Sequence, residues 1–298
     1  MVKRVAVIGA GGMGAWFARF FRSRGDFVAI SDRNSGRAKR LALKIRARYA
    51  SSNVEAVRGS NIIILATPAS VISKVINEIA PSISKNALVC DICATKSAVV
   101  PALRFVQRRG IKVASIHPMY GPSARGIRGR RIIAIRTGKD TGGYKAMRHL
   151  LEGAHMFLTQ QGNHDRNVAL TLGLPHFLNM AFATTISKRR NLAKIRRFAG
   201  RTFDLQMLLA EAIASEPETT ADIQILNKEF HPVLRDLQRE IRLLANMIDK
   251  QDRARLVARY RKVRETLSAD PEFKDARTAF EKVTEAQSAI SRNSRHGF

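Results

Sequence analysis

The chain has 298 residues, of which 45% are hydrophobic. Because single hydrophobic cores stop growing near ~250 residues, this length predicts two domains. No run approaches the ~20 apolar residues of a membrane span, and residues 1–8 read as a strand with no signal peptide, so we expect a cytoplasmic protein. The formal net charge of +28 attracts polyanions, but the basic residues are scattered without aromatic interleaving, which makes nucleic acid an improbable partner.

A glycine loop follows the first predicted strand. The run GAGGMG has glycines in the G-x-G-x-x-G register and opens a predicted helix that begins near Ala15. Such glycines permit a tight turn, close approach of the backbone to a pyrophosphate and close helix packing. The sequence therefore predicts dinucleotide binding by Gly9, Ala10, Gly11, Gly12, Met13 and Gly14.

An acidic residue ends the second predicted strand. Asp32 follows Gly14 at nearly the ~20-residue spacing expected for a carboxylate that binds the ribose hydroxyls. That carboxylate favours NAD because it repels a 2′-phosphate. Arg33 comes next and can hold a 2′-phosphate, so NADP stays possible.

Three later strands are predicted to end in polar loops. Thr67 and Pro68 follow the strand at 62–66, and Thr95 and Lys96 follow the strand at 87–92. His117 follows the strand at 113–116. The carboxyl ends of parallel strands lie at the edge where ligands of open α/β sheets bind. A neutral imidazole there is suited to accept a proton as hydride leaves a carbinol, so His117 is the candidate general base.

Two cysteines, Cys90 and Cys93, form a C-x-x-C spacing inside the strand segment LVCDIC. No second pair of metal ligands follows, and a small buried thiol is the common outcome in an apolar strand. We expect no metal site.

The character of the sequence changes after residue 160. Strands alternate with helices before it, which predicts an α/β Rossmann-type, doubly wound parallel sheet. After it, apolar residues recur every three or four positions, which predicts an all-helical domain. We therefore predict a dinucleotide-binding domain over 1–160, a helical substrate and dimerisation domain over 161–290, and a disordered tail over 291–298.

Several motifs resemble the prephenate dehydrogenase family, closest to its archaeal form. They are GAGGMG, an ATP strand end, a D-x-x-A-T-K turn, HPMYGP, HDRNVALTLGLPHFL and ASEPETTADIQILNK, in order over roughly residues 3 to 285. The family oxidatively decarboxylates prephenate to 4-hydroxyphenylpyruvate on the route to tyrosine.

The resemblance implies roles for several residues. His117 would hydrogen-bond the ring hydroxyl of the substrate, and Thr95 or Lys96 would orient substrate and nicotinamide. Tyr120 in HPMYGP and His176 in LPHF would line the substrate pocket. His164 and Asp165 are open to two interpretations, a capping pair at a helix start or a functional pair that links the domains.

One position departs from the family pattern. An acid, Glu211, lies where the family keeps an arginine that holds a substrate carboxylate. A guanidinium suits a carboxylate, so we expect a nearby base to substitute, with Arg201 as the candidate. An ordinary solvated arginine is the alternative at Arg201.

Other functions stay open at this point. An arogenate dehydrogenase, or another NAD(P)-dependent hydroxyacid dehydrogenase, would use the same two-domain plan. A dinucleotide-sensing regulator that binds nucleic acid through its positive charge is the alternative outside the enzymes.

Overall fold

The structure is a computed structural model that describes residues 2–139, 141–189 and 191–295. It divides into two compact units. The first contains the chain up to Gly173 together with Pro217–Phe230, and the second contains Leu174–Glu216 and the chain from His231 onward. This division differs from the predicted boundary at residue 160, because the segments 161–173 and 217–230 pack with the first unit.

The first unit contains an eight-stranded sheet in the order β3-β2-β1-β4-β5-β6-β7-β8. Its strands are β1 Arg4–Ile8, β2 Phe27–Ser31, β3 Arg48–Tyr49, β4 Ile62–Leu65, β5 Leu88–Asp91, β6 Lys112–Pro118, β7 Arg131–Ile135 and β8 His155–Thr159. All neighbours are parallel except β6 and β7. The predicted doubly wound α/β sheet is confirmed.

The antiparallel pair was not predicted, and its cause is local. Residues 119–130 join β6 to β7 without a helix. A parallel pair needs a long crossover, usually helical, whereas an antiparallel strand can return through a loop. The strand β6 also extends to Pro118, so His117 lies inside the strand, opposite Ile133 of β7.

Helices cover both faces of the sheet. The α-helices of the first unit are α1 Gly12–Ser23, α2 Ser35–Ile45, α3 Asn53–Val57, α4 Ile72–Ile79, α5 Val99–Gln107, α6 Gly142–Leu150, α7 Gln161–Val168 and, later in the chain, α11 Pro217–Ile225, of which α1 to α6 pack in the two clusters with the sheet. Successive strand residues alternate between the two layers: Val5 and Val7 of β1 pack in the cluster with α1 and α2, whereas Ala6 and Ile8 pack with α4 and α5. This alternation is the two-residue period of a buried strand.

The helices of the rest of the chain are α8 Leu174–Ser187, α9 Leu192–Arg196, α10 Arg201–Ala214, α12 Phe230–Asp249, α13 Arg253–Leu267 and α14 Ala276–Arg295. Within the second unit α8 packs against α10. The predicted all-helical second half is confirmed for the described residues. Residues 291–295, predicted to be disordered, continue α14 because neither Gly nor Pro interrupts them; 296–298 lie outside the described residues.

One continuous helical stretch, Gln161–Ser187, is long and apolar enough to cross a membrane by length and composition, because it contains an 18-residue window with a mean hydropathy of 1.2. The expectation that no segment approaches this limit is wrong by those two criteria. The stretch includes a π-helical turn, Ala169–Gly173, and its first turns bury the polar residues His164 and Asp165. A single such helix is weak evidence for a membrane.

Candidate active site

The glycine loop connects β1 to α1 at the carboxyl edge of the sheet. Gly9 has φ +102°, and a Cβ there would lie 2.4 Å from the carbonyl oxygen of Ala66. A Cβ on Gly14 would lie 1.9 Å from the carbonyl oxygen of Gly9, whereas one on Gly11 would meet nothing within 4 Å. The packing of the backbone therefore requires Gly9 and Gly14, whereas Gly11 leaves open space beside the backbone.

The first turn of α1 lacks a side-chain cap, because Gly11 occupies the N-cap position. Gly12 is exposed and Met13 is half-buried in that turn. Unbonded N–H groups and the helix dipole at such an end attract anions. The loop, including Ala10, thus fits the pyrophosphate of a dinucleotide.

Asp32 lies directly after β2 and holds this loop in place. Its Oδ2 accepts a hydrogen bond of 2.7 Å from the N–H of Ala10, and its Oδ1 accepts one of 2.7 Å from the N–H of Asn34. An ionised carboxylate has about four acceptor positions, so capacity remains for ribose hydroxyls. Arg33 is exposed beside it.

Thr67 and Pro68 follow β4 at the same edge, and Pro68 caps a short 3-10 helix, Ala69–Val71. The hydroxyl of Thr67 is buried without a hydrogen-bond partner within the described part of the chain. A buried hydroxyl of this kind is costly unless something bonds to it. It adds a polar contact point next to the glycine loop, since the Cβ position of Gly9 is 3.2 Å from the N of Thr67.

Lys96 follows β5 in the chain, as predicted, and lies in the interior of the first unit. Its side chain has no exposed area, and its ammonium donates to Asp91 Oδ1 at 2.6 Å and to the carbonyl oxygen of Ile116 at 2.7 Å. A buried ammonium is retained when it is paired in this way. Lys96 therefore ties the ends of β5 and β6 together, and its predicted role toward a substrate stays a prediction.

Thr95 is also buried, with 1% of its surface exposed. Its hydroxyl donates to the backbone carbonyl of Asp222, at 3.3 Å, and Asp222 accepts hydrogen bonds from the N–H and hydroxyl of Ser70. Thr95 thus connects the β5 loop to α11 within the first unit. Its predicted role toward a substrate stays a prediction.

His117 is the first member of a buried, hydrogen-bonded series of three side chains. Its Nδ1 is 3.0 Å from Nε2 of His164, and Nδ1 of His164 is 2.9 Å from Oδ1 of Asp165. The other carboxylate oxygen, Oδ2 of Asp165, accepts a hydrogen bond of 2.7 Å from the hydroxyl of Ser97. Within the described residues, Nε2 of His117 makes no hydrogen bond, so this atom is the free end of the hydrogen-bonded series.

Burial and neighbouring charges determine the protonation states of His117, His164 and Asp165. Desolvation, then the proximity of His164 and the ammonium of Lys96, holds the pKa of His117 well below its usual range. Desolvation also lowers the pKa of His164, although Asp165 opposes it. Burial alone would raise the pKa of Asp165, but hydrogen bonds from His164 and Ser97 outweigh it and lower that pKa. At neutral pH two neutral imidazoles therefore lie next to one carboxylate.

Tyr120 follows the strand that carries His117. Its ring packs against Trp16 of α1 at 5.1 Å between centroids, and its hydroxyl is buried without a partner within the described residues. Burial raises the pKa of this phenol, so it stays protonated. The predicted substrate contact is untested.

The two remaining predicted residues belong to the second unit. His176 lies in α8, where Nδ1 is buried without a partner among the described residues and desolvation lowers its pKa. Arg201 is exposed at the first residue of α10. Glu211 is paired with Arg196 of α9, at 2.6 Å, and not with Arg201.

The two cysteines lie in the interior, as expected for small thiols in an apolar strand. Cys90 and Cys93 are free and buried, and desolvation raises the pKa of both thiols. No group of His, Cys, Asp or Glu that could hold a metal occurs among the described residues.

Sequence reasoning left several residues of this site without a role. His164 and Asp165 were open to two interpretations, and two residues were not singled out: Asp91, the partner of Lys96, and Asn227, whose side-chain amide donates to the carbonyl oxygen of Asp165 at 2.8 Å. The adjacent His-Asp pair was the available signal, because polar residues so close to an apolar helical stretch are costly unless they are bonded. The partner across the fold, His117, could not be read from spacing, since 47 residues separate it from His164.

Comparison with known proteins identifies the family. Residues 17–132 match the family model described as the nucleotide-binding domain of prephenate dehydrogenase, and residues 160–262 match its dimerization domain. The first match begins after the glycine loop, so the interpretation of that loop depends on its geometry.

Individual relatives agree with this result. A probable arogenate/prephenate dehydrogenase of Methanocaldococcus jannaschii is 26% identical over 82% of this chain, and the chain spans only 56% of that relative. Among solved structures, prephenate dehydrogenase from A. aeolicus has a TM-score of 0.73 at 20% identity, covering 91% of this chain and 99% of that one. Synechocystis arogenate dehydrogenase has a TM-score of 0.64 at 19% identity, covering 89% and 99%. These structures share the fold, and the two family matches together show that the chain belongs to the prephenate dehydrogenase family.

Proposed function

We propose that this chain is an NAD-dependent dehydrogenase that converts prephenate to 4-hydroxyphenylpyruvate by oxidative decarboxylation, on the route to tyrosine. The observation that carries the proposal is the buried His117, which has a free Nε2 and a strongly lowered pKa in a domain with a dinucleotide-type glycine loop. A base that is neutral at the working pH can accept a proton at once.

The cofactor is assigned from the residues that would hold it. The glycine loop would bind the pyrophosphate, and Asp32 the adenosine ribose, which favours NAD over NADP. A solved relative, from A. aeolicus, was crystallised with NAD+. When bound, NAD supplies the acceptor for the hydride of the substrate carbinol carbon.

The protein would perform the proton transfer and the positioning. His117 accepts the proton of the carbinol hydroxyl as the C–H bond breaks, which leaves a dienone. The bond to the ring carboxylate then breaks, carbon dioxide leaves, and its electron pair completes the aromatic ring. The proton returns from His117 to the ring oxygen, so the reaction releases no net proton. Aromatisation drives the step, and the protein needs to hold the dianion and exclude water.

Arogenate is the alternative substrate. It differs from prephenate only in carrying an amino group in place of the side-chain keto group, away from the reacting ring carbon. Similar proteins are named for each substrate. Arg201 remains our candidate for holding a substrate carboxylate, supported by its exposed guanidinium on α10.

We also propose a homodimer formed by the helical half. Several large apolar side chains of α12 and α13 are exposed, among them Ile241, Ile248 and Tyr260. Residues 160–262 match a dimerization domain. Exposed apolar patches of this kind mark surfaces that another protein covers. Since prephenate and NAD are metabolites of the cytoplasm, we place the enzyme there.

The test is an assay of reduced nicotinamide formed from prephenate and from arogenate, each with NAD and with NADP. We expect turnover with prephenate and NAD to have the highest kcat/KM. Turnover with arogenate alone would replace the substrate assignment. No turnover with either, together with salt-sensitive retention on duplex DNA, would favour the nucleic-acid-binding alternative that the charge of +28 raises.

A further inference from the structure

We propose that His164 and Asp165 are positioning residues that fix the tautomer of His117, so that Nε2 of His117 carries the lone pair. The inference deepens the proposed function and rests on it for the kinetic consequence. The tautomer itself can be measured without any substrate.

The argument begins at the carboxylate. An ionised Asp165 can only accept hydrogen bonds, so the ring nitrogen 2.9 Å from its Oδ1, Nδ1 of His164, must carry the proton. The hydroxyl of Ser97 donates to the other oxygen of Asp165, and the N–H of Lys96 approaches Oδ1 at 3.4 Å. These donors stabilise the ionised form, and the three groups orient it.

The next step follows from the chemistry of imidazole. A neutral ring has one N–H and one lone pair. Because Nδ1 of His164 holds the proton, its Nε2 is the acceptor, and the group 3.0 Å away, Nδ1 of His117, must donate. Nε2 of His117 is then left without a proton. That atom is free to take the hydroxyl proton of a substrate.

The alternative arrangement requires a protonated His164, which would donate to His117 and place the proton of His117 on Nε2. Such a His117 could not act as a base. The surroundings oppose it: the side chain of His164 is fully buried, and the ammonium of Lys96 lies in the same buried group. The carboxylates Asp165 and Asp91 favour the charged ring, but desolvation outweighs them.

Helix α7 holds the hydrogen-bonded series His117–His164–Asp165 in place. His164 and Asp165 lie in its first turns, and the carbonyl oxygen of Asp165 accepts a hydrogen bond of 2.8 Å from the buried amide of Asn227. The two rings of His117 and His164 meet edge to face, with 5.2 Å between centroids. During the reaction this hydrogen-bonded series also stabilises the imidazolium that His117 becomes. The Nδ1 proton of His117 is hydrogen-bonded to His164, which in turn donates to the carboxylate of Asp165.

The direct test is nitrogen NMR of the full chain labelled with 15N-histidine, at neutral pH and without ligands. Comparison of the wild-type spectrum with that of His117→Asn assigns the signals of His117. We expect a protonated Nδ1 and an unprotonated Nε2, the less common tautomer of free histidine. A protonated Nε2 on His117 in the wild type would overturn the inference.

The second test replaces the acceptor. His164→Leu keeps the ring volume approximately but removes the lone pair that His117 Nδ1 needs. We expect the tautomer of His117 to shift toward a protonated Nε2, and kcat with prephenate to fall by roughly 10²-fold while KM changes little. His149→Asn, an exposed histidine of α6, is the matched control and should behave as the wild type.

The outcomes separate this inference from the proposed function. Wild-type kcat in a folded His164→Leu would overturn the positioning role. Absence of turnover in the wild type would overturn the proposed substrate, yet the NMR result would still decide the tautomer. Should His164→Leu fail to fold, the wild-type spectrum alone remains decisive.

Discussion

At the scale of single residues, the protonation state of His117 is the property with the clearest consequence. Its pKa is lowered because burial, His164 and Lys96 all oppose the imidazolium. The neutral base should therefore persist as the pH falls through 6.5, the ordinary value of histidine. The free energy of unfolding, by contrast, should fall as the pH falls below 6.5, because the unfolded chain then binds a proton that the folded chain does not.

The corresponding measurement is the pH dependence of kcat/KM, which reports groups of the free enzyme. We expect the acid limb of the profile to lie clearly below pH 6.5. An acid limb at or above that value would show that His117 is not the base or is not desolvated.

Asp32 offers a second prediction at this scale. Asp32→Ser removes the charge that repels a 2′-phosphate and the acceptors for ribose hydroxyls. We expect the affinity for NAD to fall by about tenfold or more, and the affinity for NADP to fall less or rise. Titration of both cofactors against the variant measures this.

Asp26→Ser is the matched control, because Asp26 also accepts a backbone hydrogen bond, from the N–H of Lys3 at 2.9 Å, but precedes β2 instead of following it. Its cofactor preference should equal that of the wild type. An unchanged NAD to NADP ratio in Asp32→Ser would remove Asp32 from the site.

At the scale of elements, the glycines between β1 and α1 have different roles, because Gly14 is needed for folding and Gly11 leaves space for a ligand. A Cβ on Gly14 would overlap the carbonyl oxygen of Gly9, whereas a Cβ on Gly11 meets nothing. We therefore expect Gly14→Ala to lower the free energy of unfolding by about 1–3 kcal/mol or more. Gly11→Ala should melt close to the wild type but bind NAD roughly tenfold more weakly, since a methyl group occupies the pyrophosphate approach.

Thermal melts and NAD titrations of the two variants decide this prediction. A strongly destabilised Gly11→Ala, or a Gly11→Ala with wild-type NAD affinity, would contradict the assignment of that open space to a phosphate.

The elements also show what the sequence could predict. The glycine loop and Asp32 could be proposed as a cofactor site because short-range spacing determines them, and buried β-branched runs such as Ile62–Leu65 identify central strands. The antiparallel direction of β7 was not predicted, because strand direction depends on the path of a loop that has no periodic pattern. The partners of Lys96 could not be predicted for a related reason: Asp91 and the carbonyl of Ile116 are brought together only by pairing of β5 with β6.

At the scale of the whole molecule, the helical half should determine the oligomeric state. Ile241 and Ile248 of α12 are 50% and 60% exposed, which a soluble monomer would have to leave in water. The double variant Ile241→Glu, Ile248→Glu places two charges on that face. We expect light scattering to show a dimer for the wild type and a shift toward monomer for the variant at micromolar concentration, because buried unpaired charges oppose association.

Leu43→Glu, on an exposed apolar position of α2, is the control and should remain dimeric. A wild-type monomer, or a dimer that tolerates both charges on α12, would contradict this interface.

The central claim is that His117 removes the carbinol proton during oxidation coupled to decarboxylation. The most direct measurement is simultaneous detection of reduced NAD and carbon dioxide from prephenate, for the wild type and for His117→Asn. The account predicts one carbon dioxide per reduced NAD in the wild type, and a rate lower by about 10²-fold or more in the variant with NAD affinity little changed. Reduced NAD without carbon dioxide, or equal rates in the two proteins, would contradict it.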